Sequence, residues 1–356
     1  MKEERKPKKL LILLIAIATL LIFFGILWIF LTSPVQRNSQ EDIEVVITSG
    51  TSTRDIGNIL KEKDLIRSSF VFSVYVKMSR THNLKADTYL FHKSMSLGEI
   101  VDELSKGSSY NPDMVKLVFK EGLRITDYAK VISNNTNHTY EEVIGVFQNR
   151  EYVKTLIPKY WFLTDTILDE AIYYPLEGYL SPDTYHFDNK DVEIVDIIEK
   201  MLEETDKKLV KYQSQIAENV HYYLTMASIV ELEGTALDNR KMIVQIFKNR
   251  LNSGMNLGSD VTTYYGIQAT MNGDLSSDQF ASVNGYNTRS TTMIGKMPVG
   301  PICNVGESSI EASINPTDND YLFFVADKKG NVYYTKTMKE HEQKIAEIKA
   351  KGDWIW

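Results

Sequence analysis

The sequence is poor in cysteine, and it lacks any cluster of side chains with the spacing of metal ligands. One of its 356 residues is cysteine, Cys303, so the chain cannot form an intramolecular disulfide. The six histidines are scattered, and no G-x-S-x-G motif of a serine hydrolase occurs. These absences predict a protein without metal or cofactor, in which Cys303 packs as a small buried side chain.

Basic residues are not concentrated anywhere beyond the first nine positions. The formal net charge is −7, but residues 1–9 carry five basic and two acidic side chains, so the remainder carries −10. Nucleic-acid-binding proteins present clustered Lys and Arg, and an acidic body therefore excludes nucleic acid as the expected partner. A neutral glycan or a peptide fits this charge better.

A single long apolar stretch, Leu10 to Leu31, contains no charged residue and one hydroxyl. Twenty-two helical residues span ~33 Å, enough to cross the hydrocarbon core of a bilayer. A cleaved signal peptide is the alternative, but its apolar region would be shorter and would end in small residues. The basic residues before the stretch predict a cytoplasmic tail at 1–9 and an extracytoplasmic body after a linker at 32–43.

A short internal repeat indicates how the exported part is organised. Residues 46–56 and 118–128 share a strand-like start, a glycine (Gly50 and Gly122) and a helix with an acidic residue in its first turn. Residues 44–107 read as a βααβ module similar to LysM-like sugar-binding modules, and a spacer without a ligand is the alternative. Residues 105–113 form a linker.

The larger second part, residues 115–356, begins with the second copy of the repeat at 115–133. Its periodicity predicts a long helix at 192–217, helices at 221–233 and 238–252, a hairpin of a buried strand (321–326) with 332–334, and a final helix at 339–351. The predicted fold class is therefore α+β: a transmembrane helix, a small module and a larger α+β domain.

One carboxylate stands out in this part. Leu224, Ala227, Ser228 and Glu231 share a helix face, and Gly234 ends that helix. Burial and the helix dipole would both favour protonated Glu231, as a general acid requires. A structural ion pair with Arg240 or Arg250 is the alternative. Glu233, about 200° round the helix, is expected to be solvated.

The sequence resembles the YceG-like endolytic murein transglycosylases (MltG family) along nearly its whole length. The resemblance is carried by segments that keep their order and approximate spacing: 176–185 (LEGYLSPDTY), 227–231 (ASIVE), 249–251 (NRL), 254–257 (GMNL), 259–266 (SDVTTYYG), 286–288 (YNT), 298–302 (PVGPI), and 315–316 (NP) with the strand at 321–327.

The resemblance implies an enzyme that cuts the β-1,4 bond between N-acetylmuramic acid and N-acetylglucosamine within peptidoglycan strands and leaves 1,6-anhydro ends. It implies the catalytic role for Glu231, acting as general acid and then base. It also implies peptidoglycan strands as substrate, the cell membrane as location, and penicillin-binding synthases as plausible partners.

Other polar residues of these segments are candidates for holding the glycan. Asp260, Tyr286, Asn287 and Thr288 form a first group, and Glu177, Asp183 and Tyr185 form a second. Turn or capping roles are the alternative for each, because Asn and Asp are common in turns. A non-catalytic, membrane-anchored scaffold that binds peptidoglycan is the alternative for the whole protein, and a cytosolic lyase is disfavoured by the apolar stretch.

Overall fold

The computed structural model describes residues 6–39, 41–81, 83–108, 110–234, 236–271 and 273–354. Its chain divides into two compact units, residues 1–113 and 114–356. Residues 1–5 of the predicted cytoplasmic tail lie outside the described part, as do the last two residues of the predicted larger domain.

The first element is a long apolar helix, α1 (Lys6–Thr32). Its segment Leu11–Thr32 has a mean hydropathy of 3.0 and is not buried by the protein. A helix that exposes apolar side chains on every face is unstable in water, and 22 residues suffice to cross a bilayer. The helix expected from the apolar stretch is confirmed, and it is consistent with a membrane anchor.

The rest of the first unit is a small α+β body. Strands β1 (Asp42–Ile47) and β2 (Asp87–His92) pair antiparallel with Val45 opposite Tyr89. Three helices pack on them: α2 (Thr53–Glu62), α3 (Ser69–Met78) and α4 (Leu97–Lys106). Each helix begins after a serine whose side chain accepts a backbone N–H of the first turn. The predicted β-α-α-β order is observed, and its likeness to LysM modules stays a prediction.

The second unit is mostly helical, with two separate two-stranded antiparallel sheets. Strand β3 (Val115–Val118) pairs with β4 (Thr184–Phe187), and β5 (Phe323–Ala326) pairs with β6 (Val332–Thr335). The helices are α5 (Ile125–Asn135), α6 (Tyr140–Gln148), α7 (Arg150–Leu156), α8 (Ile194–Leu209), α9 (Gln213–Ile216), α10 (Val220–Glu233), α11 (Leu237–Asn252), α12 (Asp260–Gly266), α13 (Ser277–Phe280), α14 (Glu307–Ile314) and α15 (Met338–Ala350). Single 3₁₀ turns lie at Ile157–Lys159, Asp165–Leu168, Val210–Tyr212 and Thr291–Met293.

The predicted repeat is visible in the structure as β1-turn-α2 and β3-turn-α5. The glycine of each turn has a positive φ, +86° at Gly50 and +76° at Gly122, which favours glycine over other residues. The Gly122 N–H donates to the Asn304 carbonyl at 2.8 Å, so the second turn is tied to a distant loop.

The predicted helix at 192–217 is wrong as one continuous element. It stops at Leu209, tightens into the 3₁₀ turn and resumes as α9. Tyr212 and Ile216 are buried at and beyond the break, and the Tyr212 hydroxyl donates to Glu311 of α14 at 2.7 Å. This tertiary contact accompanies the tighter turn, which the apolar periodicity of the segment does not predict.

The hairpin and the final helix are confirmed close to their predicted bounds, as β5, β6 and α15. The prediction that the first hairpin strand is buried is wrong, because all four residues of β5 are half-buried. One of its sides faces a cavity described below, which explains the intermediate exposure.

Gly178 lies in the 176–185 segment, and its replacement tests how tightly this segment packs against the rest of the second unit. Its φ is +82°, and an added Cβ would lie 2.3 Å from the Pro301 Cβ. We expect Gly178→Ala to lower the free energy of unfolding by about 1–3 kcal/mol from backbone strain alone, and by more from the clash. The urea midpoint of the purified protein measures this.

Gly145→Ala is the matched control, because Gly145 lies in α6 and an added Cβ would meet no atom within 4 Å. Alanine in a helix interior is expected to stabilise by up to about 1 kcal/mol. Equal midpoints for the two variants would contradict the role given to Gly178.

Candidate active site

Helix α10 is the buried element on which the site is built. Residues 224–230 are all buried, and they contribute to two different apolar clusters, with Leu224 and Ala227 on one side and Met226, Ile229 and Val230 on the other. The Ser228 hydroxyl accepts the Ile302 N–H at 3.0 Å. A helix held on both sides fixes the direction of the side chains in its last turn, where Glu231 and Glu233 lie.

Glu231 points away from solvent into an ion pair. Its Oε1 accepts from Arg240 Nη2 at 2.8 Å, its Oε2 accepts from the Gly306 N–H at 3.0 Å, and its side chain is 5% exposed. The expected burial is present, but so is the cation that the structural alternative proposed.

Arg240 also closes the end of α10. Its Nε donates to the Gly234 carbonyl at 2.9 Å, and its Nη1 donates to the Ser308 hydroxyl. A cation at a helix C-terminus interacts favourably with the helix dipole. The Glu231–Arg240 pair is therefore suited to holding the last turn of α10 against the loop before α14.

A second carboxylate lies beside this pair. A Cβ added to Gly306 would overlap the Glu121 carboxyl group, so Glu121 lies directly against the residue whose N–H binds Glu231. Burial and the nearby Glu231 carboxylate raise the pKa of Glu121. The sequence analysis did not single out Glu121, although it directly precedes the glycine of the predicted repeat.

Glu233 lies on the other side of the same turn, at the wall of a cavity of 830 Å³. The residue is half-buried, and the Ser259 hydroxyl donates to its Oε1 at 2.5 Å. Burial raises the pKa of Glu233, and the Asp260 carboxylate raises it further, against the lowering effects of the Ser259 hydrogen bond and of the Arg289 and Arg250 charges. The expectation that Glu233 would be solvated is wrong, because the hairpin, α15 and the loop before α12 surround it.

The cavity is enclosed by the ends of α10 and α11, the loop before α12, the β5–β6 hairpin and α15. Its wall combines apolar and aromatic side chains with a few polar ones, among them Phe247, Asn256, Tyr264, Phe323, His341 and Trp354. Glu231 is not among the described residues that line it. A mixed wall of aromatic and polar groups suits a sugar, whose faces are apolar and whose edge carries hydroxyls.

Two arginines bring positive charge to the cavity. Arg250 donates from Nε to the Leu322 carbonyl at 2.8 Å and stacks over the Phe323 ring at 5.1 Å. Arg289 forms an ion pair with Asp260. Burial lowers the pKa of Arg250, and the neighbouring Arg289 charge lowers it further. The sequence analysis proposed no functional role for Arg289, Ser259 or Glu233. Arg250 and Ser259 nevertheless lie in segments that carry the family resemblance.

Asp260 is the predicted substrate residue that the structure brings to the cavity. It is the first residue of α12, and its side chain is 47% exposed. Tyr286, Asn287 and Thr288 are buried instead and cannot touch a glycan in this conformation. Thr288 Oγ1 accepts the Ser259 N–H at 3.0 Å, so this segment supports the cavity wall from behind.

Asn287 and Tyr286 act in the same supporting way. The Asn287 Oδ1 accepts from the Thr263 hydroxyl at 2.6 Å, and its Nδ2 donates to the Phe280 carbonyl at 2.9 Å. The Tyr286 ring packs against Tyr265 with centroids 4.7 Å apart. Buried amides and hydroxyls need such partners, which explains why polar residues occur in this segment.

The 176–185 segment does not line the cavity. Glu177 is buried and accepts from the Ile125 N–H at 3.0 Å and the Tyr265 hydroxyl at 3.1 Å. Tyr185 is buried and donates to the Ser181 carbonyl at 2.8 Å. Asp183 is exposed and pairs with Lys208 at 3.5 Å. Direct glycan contact is thus not supported by the position of any of the three predicted residues.

Cys303 is part of the apolar core of the second unit. Cys303 is fully buried with its Sγ 3.4 Å from the Ser228 carbonyl, and burial raises the pKa of its thiol well above the usual value. Within the described ranges, no group of three or more His, Cys, Asp or Glu side chains could hold a metal ion.

Comparisons with known proteins agree on one family. A profile of the YceG-like family matches residues 45–347. The endolytic murein transglycosylase of Bacillus subtilis (strain 168) is 34% identical over 317 residues, which cover 88% of this chain and 86% of that protein. The endolytic murein transglycosylase of Streptococcus pneumoniae serotype 2 (strain D39) is 32% identical over 333 residues, and the match spans 60% of its length.

A solved structure supports the same assignment. The crystal structure of a yceG-like protein from Listeria monocytogenes has a TM-score of 0.61 and 36% identity, with 85% of this chain and 99% of that chain covered. The relatives named endolytic murein transglycosylase place the chain among enzymes that act on peptidoglycan. The chain belongs to the YceG-like family, and the resemblance found in its motifs is confirmed.

Glu177 provides a test that depends on pH. Burial raises its pKa to about 8, from 4.5 for an ordinary glutamate. The folded protein keeps the proton on Glu177 to a higher pH than the unfolded chain does. The stability that this protonation contributes is therefore complete below about pH 4.5 and is lost as the pH rises through about 8. We expect Glu177→Gln to gain stability relative to wild type between pH 5 and pH 9.

Urea midpoints of both proteins at the two pH values check this, with the exposed Glu170→Gln as the matched control. If the urea midpoints of wild type and Glu177→Gln differed by the same amount at both pH values, the raised pKa of Glu177 would be contradicted.

Proposed function

We propose that this chain is a membrane-anchored peptidoglycan lytic transglycosylase that acts within glycan strands. It cleaves the β-1,4 bond between N-acetylmuramic acid and N-acetylglucosamine and leaves a 1,6-anhydro end. The family, the names of the two curated relatives and the cavity with its carboxyl group support the activity. Helix α1 supports the anchor, and the basic residues before it support an extracytoplasmic body.

Glu233 is the general acid in this proposal, and the observation that carries it is its place on the cavity wall. Its carboxyl group is half-buried, has a raised pKa and is oriented by the Ser259 hydroxyl. Glu231, the residue predicted from sequence, is the second candidate. The contacts of Glu231 with Arg240 and Gly306 favour a structural role, because they occupy both of its oxygens.

The reaction needs one carboxyl group and no external nucleophile. Protonated Glu233 donates its proton to the glycosidic oxygen as the bond from that oxygen to C1 of the muramic acid breaks. The resulting carboxylate takes the proton from the C6 hydroxyl of the same sugar, and O6 bonds to C1. Because O6 is already tethered to the reacting ring, the step gains up to ~7–11 kcal/mol of the entropic advantage of intramolecular reactions.

The remaining cavity residues hold the strand in this scheme. Aromatic rings such as Phe323 and Trp354 offer faces on which sugars pack, and Asn256 offers hydrogen bonds. Arg250 and Arg289 make this wall positive, which suits the carboxylates carried by peptide stems or by the lactyl group of stem-free strands. Asp260 keeps Arg289 in place through their ion pair.

Replacing each glutamate in turn tests whether Glu233 or Glu231 is the general acid. We expect Glu233→Gln to lose about 10²- to 10⁴-fold in the release of fragments from purified peptidoglycan, with an unchanged urea midpoint, because glutamine cannot donate this proton. Glu231→Gln should instead lower the midpoint, because it leaves buried Arg240 without its carboxylate, and the folded fraction should keep its activity.

The converse result, an inactive but fully stable Glu231→Gln beside an active Glu233→Gln, would assign the acid to Glu231. Full activity of both variants would assign the acid to another residue, whereas wild type that binds peptidoglycan and releases no fragments would favour the non-catalytic scaffold. Protease treatment of intact cells tests the orientation, because an extracytoplasmic body is digested. Co-purification tests a penicillin-binding synthase as partner.

The presence of a second carboxylate, Asp260, on the same wall requires a product analysis. Ordinary glycosidases use two carboxyl groups, the second of which attacks C1 or activates water, and they leave a hydrated reducing end. Mass spectrometry distinguishes this end from the anhydro end by one water.

We expect Asp260→Asn to keep anhydro products, since the C6 hydroxyl needs no second carboxylate. Its kcat/KM should fall by no more than about fivefold, the cost of an exposed ion pair. Arg289→Met is the matched variant that breaks the same pair. Hydrated ends made by wild type and lost in Asp260→Asn would show instead that Asp260 activates water and that the enzyme is a hydrolase.

A further inference from the structure

Helix α3 carries a row of apolar side chains whose two ends the described part of the first unit leaves exposed. Phe70 is 75% exposed and Met78 is 68% exposed, and the half-buried Val74 lies between them at the four-residue spacing that places side chains on one helix face. The opposite face of α3, with Phe72 and Val76, is buried in the core of the unit. Exposed apolar rows of this kind mark interaction surfaces.

The other side of α3 contacts the end of α1. The Trp28 and Tyr75 rings are stacked with centroids 6.3 Å apart and an interplanar angle of 16°. The Arg67 guanidinium, just before α3, lies 4.4 Å above the Phe30 ring and donates to the Pro34 carbonyl at 2.8 Å. Stacking, cation–π and hydrogen-bond contacts thus join the last turns of α1 to α3.

These contacts place α3 beside the end of α1. Trp28 and Phe30 both belong to the last turns of α1, and their partners are Tyr75 within α3 and Arg67 just before it. Helix α3 therefore packs at the level of the last turns of α1.

The level of this contact is set by the sequence of α1. Trp28 and Phe30 belong to the apolar segment Leu11–Thr32, so they lie within or at the edge of the hydrocarbon when α1 spans a bilayer. Helix α3 is therefore held at the level of the membrane surface when α1 spans a bilayer. Tryptophan and tyrosine are the side chains enriched at that depth, which fits the Trp28–Tyr75 pair.

We propose that the Phe70–Val74–Met78 row of α3 inserts into the outer leaflet of the membrane, so that the first unit lies on the bilayer surface. The proposal rests on the membrane anchor of the proposed function. The exposed apolar side chains of α1 continue to Phe30, which Arg67 contacts, and the row begins three residues further on at Phe70. Lys77 and Arg80 flank the row and suit anionic headgroups, with their stems along the apolar boundary.

Depth-dependent fluorescence of the full chain tests the proposal. The protein is reconstituted in bilayers of phosphatidylethanolamine and phosphatidylglycerol, with an environment-sensitive dye on a single introduced cysteine. Phe70→Cys and Met78→Cys place the dye in the row, and Lys77→Cys places it beside the row and leaves the row intact. The native Cys303 is fully buried and stays unlabelled in the folded protein.

Two further positions serve as controls. Ser49→Cys lies beyond the far end of β1, about 20 Å along the strand from the residues next to the anchor, and is exposed. Ile22→Cys lies in the middle of α1 and reports whether the anchor is inserted.

We expect the emission at Phe70→Cys, Lys77→Cys and Met78→Cys to shift to the blue and to be quenched several-fold more than at Ser49→Cys by lipids with a shallow acyl-chain quencher. Quenching at Ile22→Cys with no more quenching in the row than at Ser49→Cys would overturn the surface contact and leave the anchor standing. Absence of quenching at Ile22→Cys as well would overturn the anchor and this proposal together.

Discussion

The ion pair between Glu231 and Arg240 is the interaction on which the arrangement of the site depends. Helix α10 is buried on both sides, so its last turn has to end between two other parts of the protein. Arg240 binds the Glu231 carboxylate and the Gly234 carbonyl together, and so fixes that turn on the side of the Gly306 loop. Glu233 is two residues further on, about 200° round the helix, and faces the cavity as a consequence.

The two glutamates show how far sequence reasoning reaches. The helix itself was predictable to within a residue, because its apolar run ends at a glycine. The place of Glu231 in an ion pair and of Glu233 on a cavity wall was not predictable, because both sides of a fully buried helix look apolar and periodicity does not tell which side faces a cavity. Arg240 is nine residues further along the chain, and only the turn between α10 and α11 brings it back to Glu231.

The buried polar residues illustrate a related difficulty. Glu177, Asn287 and Thr288 stand in motifs dense in polar groups, which is also what a ligand site would look like in one dimension. Their partners are the Ile125 N–H, the Thr263 hydroxyl and the Ser259 N–H, all distant in sequence. A polar group inside a protein must be satisfied by such partners, so a motif can preserve the shape of a site without touching what binds there.

The cavity wall has a consequence for the order in which the protein matures. Phe323, His341 and Trp354 come from the last few dozen residues, whereas Glu233 and Ser259 are synthesised well before them. A chain shortened before the hairpin would keep Glu233 and Ser259 and would lack this side of the cavity. The cavity is thus completed only when the hairpin and α15 have folded against the two earlier segments.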